Sequence, residues 1–397
     1  MFIKTISKSL LIFLVIGFFV SITTEKIIAQ AGYTAVPTVD LVLDVRMQSL
    51  GNSFVSFYGK EGAVEINPAS IGSSQDLRIN FTKREWQFFS ENDPFKVYQF
   101  GVEYGIEKWG ISYQGRQLVF PDSPFRSGDE IEYYHNLSVS FNNQKGLSVG
   151  LGFNYIRSDL GETISVTGLE DMEANAFSAD FGFQYQKQIQ SETEWRFTPS
   201  IGSSITDFGT RVKYSGQEQG DPLPMRFRTG VGLSADFDKS WNDFQIFNGN
   251  LAFGVSKLLV TVEFDENSNR KTFGPFESLL RSWGTFETVD PNTGRSTKYS
   301  FGEQLIFHSG LELNFLESFS FRLGYQDGQE LNNYDTIRTI GIGVDLYYIS
   351  IDYINSKQLA DDYKGRNTPM NGDFLQLTGR IPLDGKSPKS LLRLFFD

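Results

Sequence analysis

Side chains able to do covalent or metal chemistry are scarce in this 397-residue chain. It has no cysteine and two histidines, His135 and His308, so a metal centre of the His- or Cys-rich kind is out of reach and no cofactor is implied. The one Gly-x-Ser-x-Gly run, Gly146 to Gly150, falls within an alternating strand pattern rather than on a strand-to-helix turn, and Gly150-Leu-Gly152 and Gly341-Ile-Gly343 lack the third glycine of a dinucleotide loop. An outer-membrane lipase pairing His135 or His308 with a serine is conceivable, but the reading is non-enzymatic. The residues that stand out are polar islands in the stretch Thr38–Gly72: Asp44-Val45-Arg46 with Leu50-Gly51-Asn52, and Asn67-Pro68-Ala69.

Their chemistry is that of a segment held inside something else. An interior Arg46 is tolerable only when paired with carboxylates of its surroundings. Asn67 before Pro68 initiates a turn, and the proline keeps it out of helix. Gly51 permits a positive φ or a close backbone approach. Asp44, Arg46, Leu50, Gly51, Asn67, Pro68 and Ala69 suit a hatch or plug, whether functional or merely structural.

What would surround that plug is written downstream. From Asp76 onward the apolar residues recur every second position, as in LSVGLGFNYIRS, where Leu147, Val149, Leu151, Phe153 and Tyr155 share one face and Ser148, Gly150, Gly152 and Asn154 the other. Glycines punctuate the segments every few residues and would cost about 1 kcal/mol each in a helix interior. The grammar gives fourteen strands, with Phe244–Phe264 taken as one, and the links alternate between long (90–96, 118–133, 159–175, 208–225, 265–298, 326–335, 356–372) and mostly short.

That asymmetry marks a closed transmembrane antiparallel β-barrel, all-β in class. Girdle aromatics are expected at strand ends: Trp86, Phe88, Phe89, Trp109, Tyr133, Tyr134, Trp195, Trp241, Tyr347 and Tyr348. A soluble β-sandwich with core aromatics is the competing architecture, and would show shorter strands.

The ends complete the organisation. Residues 1–31 carry Lys4 and Lys8, an apolar run from Leu10 to Val20, and Ala29-Gln30-Ala31, the order of a cleaved secretory signal. That run is short of the ~20 residues a membrane helix needs. Residues 32–75 are the hatch, 76–383 the barrel, and 384–397 a tail or extension of the final strand. A net charge of −12 argues against nucleic acid as a partner.

Within the loop 265–298, Phe273, Phe276, Leu279, Leu280, Trp283 and Phe286 are spaced for one face of a short helix near Pro275–Trp283. Such a face could capture an apolar ligand, dock a partner protein, or simply pack over the barrel mouth.

The island Asp44 to Asn52, followed by Glu65-Ile66-Asn67-Pro68-Ala69 directly before the first strand, resembles the N-terminal hatch of the PorV/PorQ family, outer-membrane barrels of the FadL-like long-chain fatty-acid transporter superfamily. The family pattern runs Asp-Ala-Arg-Ala, two residues, Met or Leu, Gly, and later Asn-Pro-Ala; this chain departs at Val45, Met47 and Asn52. The resemblance implies a fourteen-stranded barrel in the bacterial outer membrane, in contact with its lipid. It also implies one of two roles: delivery of secreted proteins with type IX translocon components as partners, which leads, or passive diffusion of hydrophobic small molecules such as fatty acids and hydrocarbons. A conduit should have an apolar pocket beside the plug and a wall opening. A delivery platform should have a filled lumen and apolar outer loops.

Overall fold

The computed structural model describes residues 34–59, 61–72, 76–86, 94–121, 126–127, 130–165, 168–190, 193–215, 217, 219–242, 244–264, 270–289, 296–328, 336–346, 348–359 and 370–382. The expected signal segment 1–31, the tail 384–397, Phe88, Phe89 and Tyr347 lie outside them.

Fourteen strands form the wall: β1 (Asp76–Trp86), β2 (Phe95–Ile106), β3 (Trp109–Val119), β4 (Ile131–Asn142), β5 (Leu147–Ser165), β6 (Gly168–Gln186) and β7 (Trp195–Gly209). They continue as β8 (Arg226–Phe237), β9 (Phe247–Leu258), β10 (Leu305–Phe315), β11 (Phe319–Asp327), β12 (Ile337–Leu346), β13 (Ile349–Gln358) and β14 (Gly372–Pro382). Each pairs antiparallel with the next, and β14 pairs back onto β1 with Thr82 opposite Gln376 and Asn80 opposite Thr378. Closure leaves no unpaired edge in the ring, the condition for placing a sheet in lipid.

Period-two alternation decides which side chain meets which medium. On β5, Val149, Leu151 and Phe153 are exposed on the outside while Ser148, Asn154 and Ser158 are buried within. Phe81, Phe100, Ile111, Leu137, Phe253, Ile340, Ile342, Leu375 and Leu377 extend this outer apolar band around the ring. So much exposed aliphatic and aromatic surface on one continuous face would be an aggregation liability in water; against acyl chains it is the solvent-matched face.

At the end of the short links, 107–108, 316–318 and 347–348 among them, aromatic rings cluster: Trp109 on Phe141 at 4.9 Å, Trp195 on Phe237 at 5.0 Å and on Phe247 at 5.9 Å, and Phe247 on Phe315 at 5.4 Å. Exposed Trp241, Phe319 and Tyr348 belong to the same belt. Tyr134 does not. With Tyr133, His135 and Leu137 facing out, the strict alternation of β4 turns Tyr134 inward, where its hydroxyl donates to Asn154 Oδ1 at 3.1 Å.

Three boundaries differ from the sequence expectation. The link 159–175 is largely strand: β5 and β6 run on to Ser165 and Gly168, with a register shift between Asp159 and Glu162 beside Gly161 at φ 68°. Its acidic residues suggest a loop, but cross-strand backbone bonds and the Arg157–Glu173 pair carry the hairpin beyond the apolar band. The long segment Phe244–Phe264 divides, the wall strand ending at Leu258 before buried Leu259, Val260 and Thr261. Likewise β10 begins at Leu305, and Ser296–Tyr299 pairs instead with Phe286–Val289 in a separate hairpin.

Candidate functional site

Residues 34–59 and 61–72 occupy the lumen. They form a chain of short turns around one helix, α1 (Val45–Ser49), capped by Asp44, whose Oδ1 accepts from the Met47 amide at 2.8 Å. Val42, Met47, Leu50, Phe54, Val55, Phe57, Ala63 and Ile66 pack together with Ala252 of β9 into a small apolar core. A segment this short cannot fold by its own burial; the wall supplies the rest.

The wall does so by having no side chains where the hatch backbone lies. A Cβ on Gly150 would fall 2.3 Å from the Pro68 carbonyl carbon, on Gly182 2.1 Å from Asn67 Oδ1, on Gly202 2.3 Å from Val55 O, and on Gly324 2.3 Å from the Gly51 amide. Gly51 itself sits at φ 62°, and a Cβ there would fall 2.6 Å from Tyr325 O of β11. Serines and threonines between these glycines donate to hatch carbonyls: Ser140 to Ile71, Ser148 to Ala69, Ser204 to Ile66 and Thr339 to Ser49, at 2.7–3.0 Å. These wall donors are the part of the site that sequence reading missed. Their signal was the Gly/Ser inner face of strands such as LSVGLGF.

Each hatch residue singled out by sequence has a defined seat. Arg46 forks onto Glu312 of β10, Nε to Oε1 at 2.9 Å and an Nη to Oε2 at 3.0 Å. Glu312 is fully buried and also accepts from Arg322 Nε at 2.9 Å and Asn250 at 3.0 Å, and Arg322 pairs onward with Asp352. The quartet balances two guanidiniums against two carboxylates. Leu50 is fully buried, and its carbonyl accepts from Ser53. Asn67 Nδ2 donates to Val55 O at 2.8 Å and Phe183 O at 3.2 Å, while its Oδ1 accepts from the Ala69 amide, so Asn67, Pro68 and Ala69 form one turn against β5 and β6.

A second anchor ties the hatch to the seam of the barrel. Gln376 of β14 accepts from the Val45 amide at 3.0 Å and from Thr82 of β1 at 3.0 Å, and donates to Asp44 Oδ2 at 2.8 Å. Burial, and then the neighbouring Glu65, push the Asp44 carboxyl up to about 8. Glu61 behaves oppositely: burial would raise it, but Arg380, Arg78 and Arg46 bring it down to about 2. Asp40 clamps Arg226 and Arg228 of β8, the latter at 3.2 Å.

The two histidines are absorbed by structure. His135 faces outward between Tyr113 and Tyr155, bonded to the Tyr113 hydroxyl at 2.9 Å. His308 Nδ1 donates to Gly51 O at 2.8 Å, which leaves Nε2 to accept from Ser256 Oγ at 2.8 Å. That Ser–His pair lacks a carboxylate on the imidazole, and Ser256 is buried with Arg226 as its other partner, so no substrate carbonyl can reach it.

The remaining space is divided by character. At the short-link end a polar vestibule of about 300 Å³ lies below the hatch, lined among others by Arg46, Glu61, Arg322, Asp345, Asp352 and Arg380. An apolar depression of about 470 Å³ lies on the outer wall, bordered by Ile201, Val231, Phe253, Phe307 and Tyr325 and floored by Thr229, Gly230, Gly254 and Ser309. On the long-link side, Ala35, Val36 and Val39 of the hatch close against Ile156, Ala174, Val212, Tyr214 and Leu223, filling the lumen.

The loop helix, α2 (Pro275–Arg281), forms where expected but turned over. Ser278 and Ser282 face the barrel and are buried, whereas Phe276 and Leu280 are 71% and 69% exposed. Phe273 is buried beneath, Leu279 and Trp283 are half-buried, and Phe286 opens the hairpin strand that follows. The six apolar residues therefore do not share one face. Thr261 Oγ1 meets Ser282 Oγ at 3.0 Å, and that contact fixes the polar side downward.

The chain is thus a fourteen-stranded transmembrane barrel whose lumen is occupied by its own N-terminal segment. No family model and no curated protein matches its sequence. Among solved structures it is similar to the Ralstonia pickettii toluene transporter TbuX, at 12% identity and a TM-score of 0.40, over 84% of this chain and 95% of that one. The P. putida toluene transporter TodX aligns at 10% identity and a TM-score of 0.43, over 84% and 96% of the two chains. The CymD monoaromatic hydrocarbon channel gives 10% and 0.43, over 85% and 96%. At that similarity no property of those proteins transfers to this chain.

Proposed function

We propose that this barrel sits in the bacterial outer membrane and conducts small hydrophobic molecules, of the fatty-acid or hydrocarbon class, without enzymatic change. The observation that carries the reading is the thin place in the wall. Outside lies the apolar depression; directly inside lie Ser53 and Val55 of the hatch, with the apolar cluster of Phe54 and Phe57 behind them. Only the backbones of Gly230 and Gly254, opposite each other on β8 and β9, stand between: a Cβ on Gly230 would fall 2.8 Å from Val55 Cγ1. The β8–β9 ladder is continuous through this glycine pair, so an apolar solute entering from lipid would reach the apolar hatch core once the two strands part there.

Ser309→Trp tests this. Residue 309 faces outward on the floor of the depression, so an indole there fills it without touching the hatch. Uptake of a labelled small aromatic or fatty acid by outer-membrane vesicles carrying the protein should fall to the level of vesicles without it. Unchanged uptake in the variant, or none in the wild type, refutes the reading.

The secretion-linked role expected from the PorV/PorQ resemblance draws support from a different feature, the filled lumen. Co-purification of translocon components or secreted proteins from native membranes would favour it over a conduit.

A further inference from the structure

We propose that α2 is a membrane-surface element: Phe276 and Leu280 insert among the lipids of the leaflet on the long-link side, and Trp283 with Phe301 completes the second aromatic belt of the barrel. This goes beyond the proposed conduction and does not depend on what the barrel carries.

The first ground is the inverted face. A short helix in water hides its apolar side and shows its polar one. Here Ser278 and Ser282 are buried, Ser282 against Thr261, while Phe276 and Leu280, four residues apart on one side of the helix, are largely exposed. The arrangement is stable where the surroundings are as apolar as the exposed face.

The second ground is continuity with the lipid-facing band. Phe181 of β6, exposed on the outer wall, packs at 6.1 Å on Phe208 of β7, and Phe208 packs edge-on at 4.8 Å against Phe276. A parallel ladder runs from Phe227 of β8 to Trp283 at 5.4 Å and on to Phe301 at 6.2 Å. The helix therefore hangs over the outer rim of β7 and β8 rather than over the mouth.

Height agrees. The first aromatic belt includes Phe237 at one end of β8, and Phe227 stands near the other. At roughly 3.3 Å per residue and a strand tilt of about 40°, the rise between them is roughly 25 Å, the height of the apolar band in such barrels. Trp283 thus lies one hydrocarbon thickness from the first belt, at the level where indole rings settle. Lys271 and Arg281 lie about 5 Å from the Phe273 ring beneath the helix, Arg281 also paired with Glu263 at 3.2 Å.

The absence of cysteine makes the test direct. Phe276→Cys and Leu280→Cys, spin-labelled singly in full-length protein in phosphatidylethanolamine–phosphatidylglycerol vesicles, should collide with oxygen in preference to an aqueous nickel chelate, as should Phe253→Cys on the mid-wall. Glu277→Cys, exposed on another side of the same helix, should show the inverse ratio. Labels at 276 and 280 as open to the chelate as the one at 277 would overturn the proposal and mark the face as a docking surface for a water-borne protein. Two independent positions on the exposed face guard against a single misfolded variant.

Discussion

Removing Arg46 should loosen the hatch by an amount that its partners make calculable. Arg46, Arg322, Glu312 and Asp352 form a neutral buried quartet, with Glu312 fully buried and Arg46 14% exposed toward the vestibule. Deleting one member of a buried pair costs about 3–5 kcal/mol, mainly because the partner is left uncompensated. Glu312 retains Arg322, so the lower end applies, about 3 kcal/mol for Arg46→Ala and a similar amount for Glu312→Gln. Amide exchange across residues 44–52 reads this as hatch opening, and about 3 kcal/mol is a roughly 150-fold acceleration. The double variant leaves the neutral Arg322–Asp352 pair, so its cost should undercut the sum of the singles by about 2 kcal/mol. Accelerations under about 5-fold, or costs that add within about 0.5 kcal/mol, would refute the claim that this quartet holds the hatch.

Two further outcomes follow from the geometry. Gly182→Leu must displace Asn67 and the Ala69 amide, which a Cβ there would approach to 2.1 and 2.7 Å; planar-bilayer recordings should change from closed to steadily conducting. Gly249→Ala, whose nearest neighbour is the Phe247 ring at 3.4 Å, should stay closed. For Asp44, the folded carboxyl titrates near 8 against an ordinary 3.8, so its contribution to hatch seating is complete below about pH 4 and lost as pH rises through about 8. Exchange of residues 44–50, corrected for its intrinsic rate, should accelerate over that interval. In Asp44→Asn that dependence should disappear, and a wild-type profile flat from about pH 5 to 9 would contradict the assignment.

The wall was legible because alternation is a local signal: each of the fourteen strands announces itself within ten or so residues, and a change of face would bury Leu151 or expose Asn154. What alternation cannot show is who meets the inner face. Thr339 and Ser49, or Gln376 and Asp44, are hundreds of residues apart in sequence, and their small or amide side chains look like ordinary water-facing positions. The orientation of α2 was missed for a related reason. Apolar spacing identifies a helix, but the side it turns inward meets a neighbouring segment through Ser282 and Thr261, a contact that spacing does not encode.

The seat of Gln376 has a consequence for assembly. This residue lies on β14, at the junction where the ring meets β1, and it grips Asp44 and Val45 of the segment that precedes β1. A chain lacking β14 therefore has neither a sealed cylinder nor this anchor on Asp44 and Val45. Sealing the ring and seating Asp44 are expected to be coupled through Gln376, so a copy with an open seam would offer proteases both the seam and the stretch around Asp44.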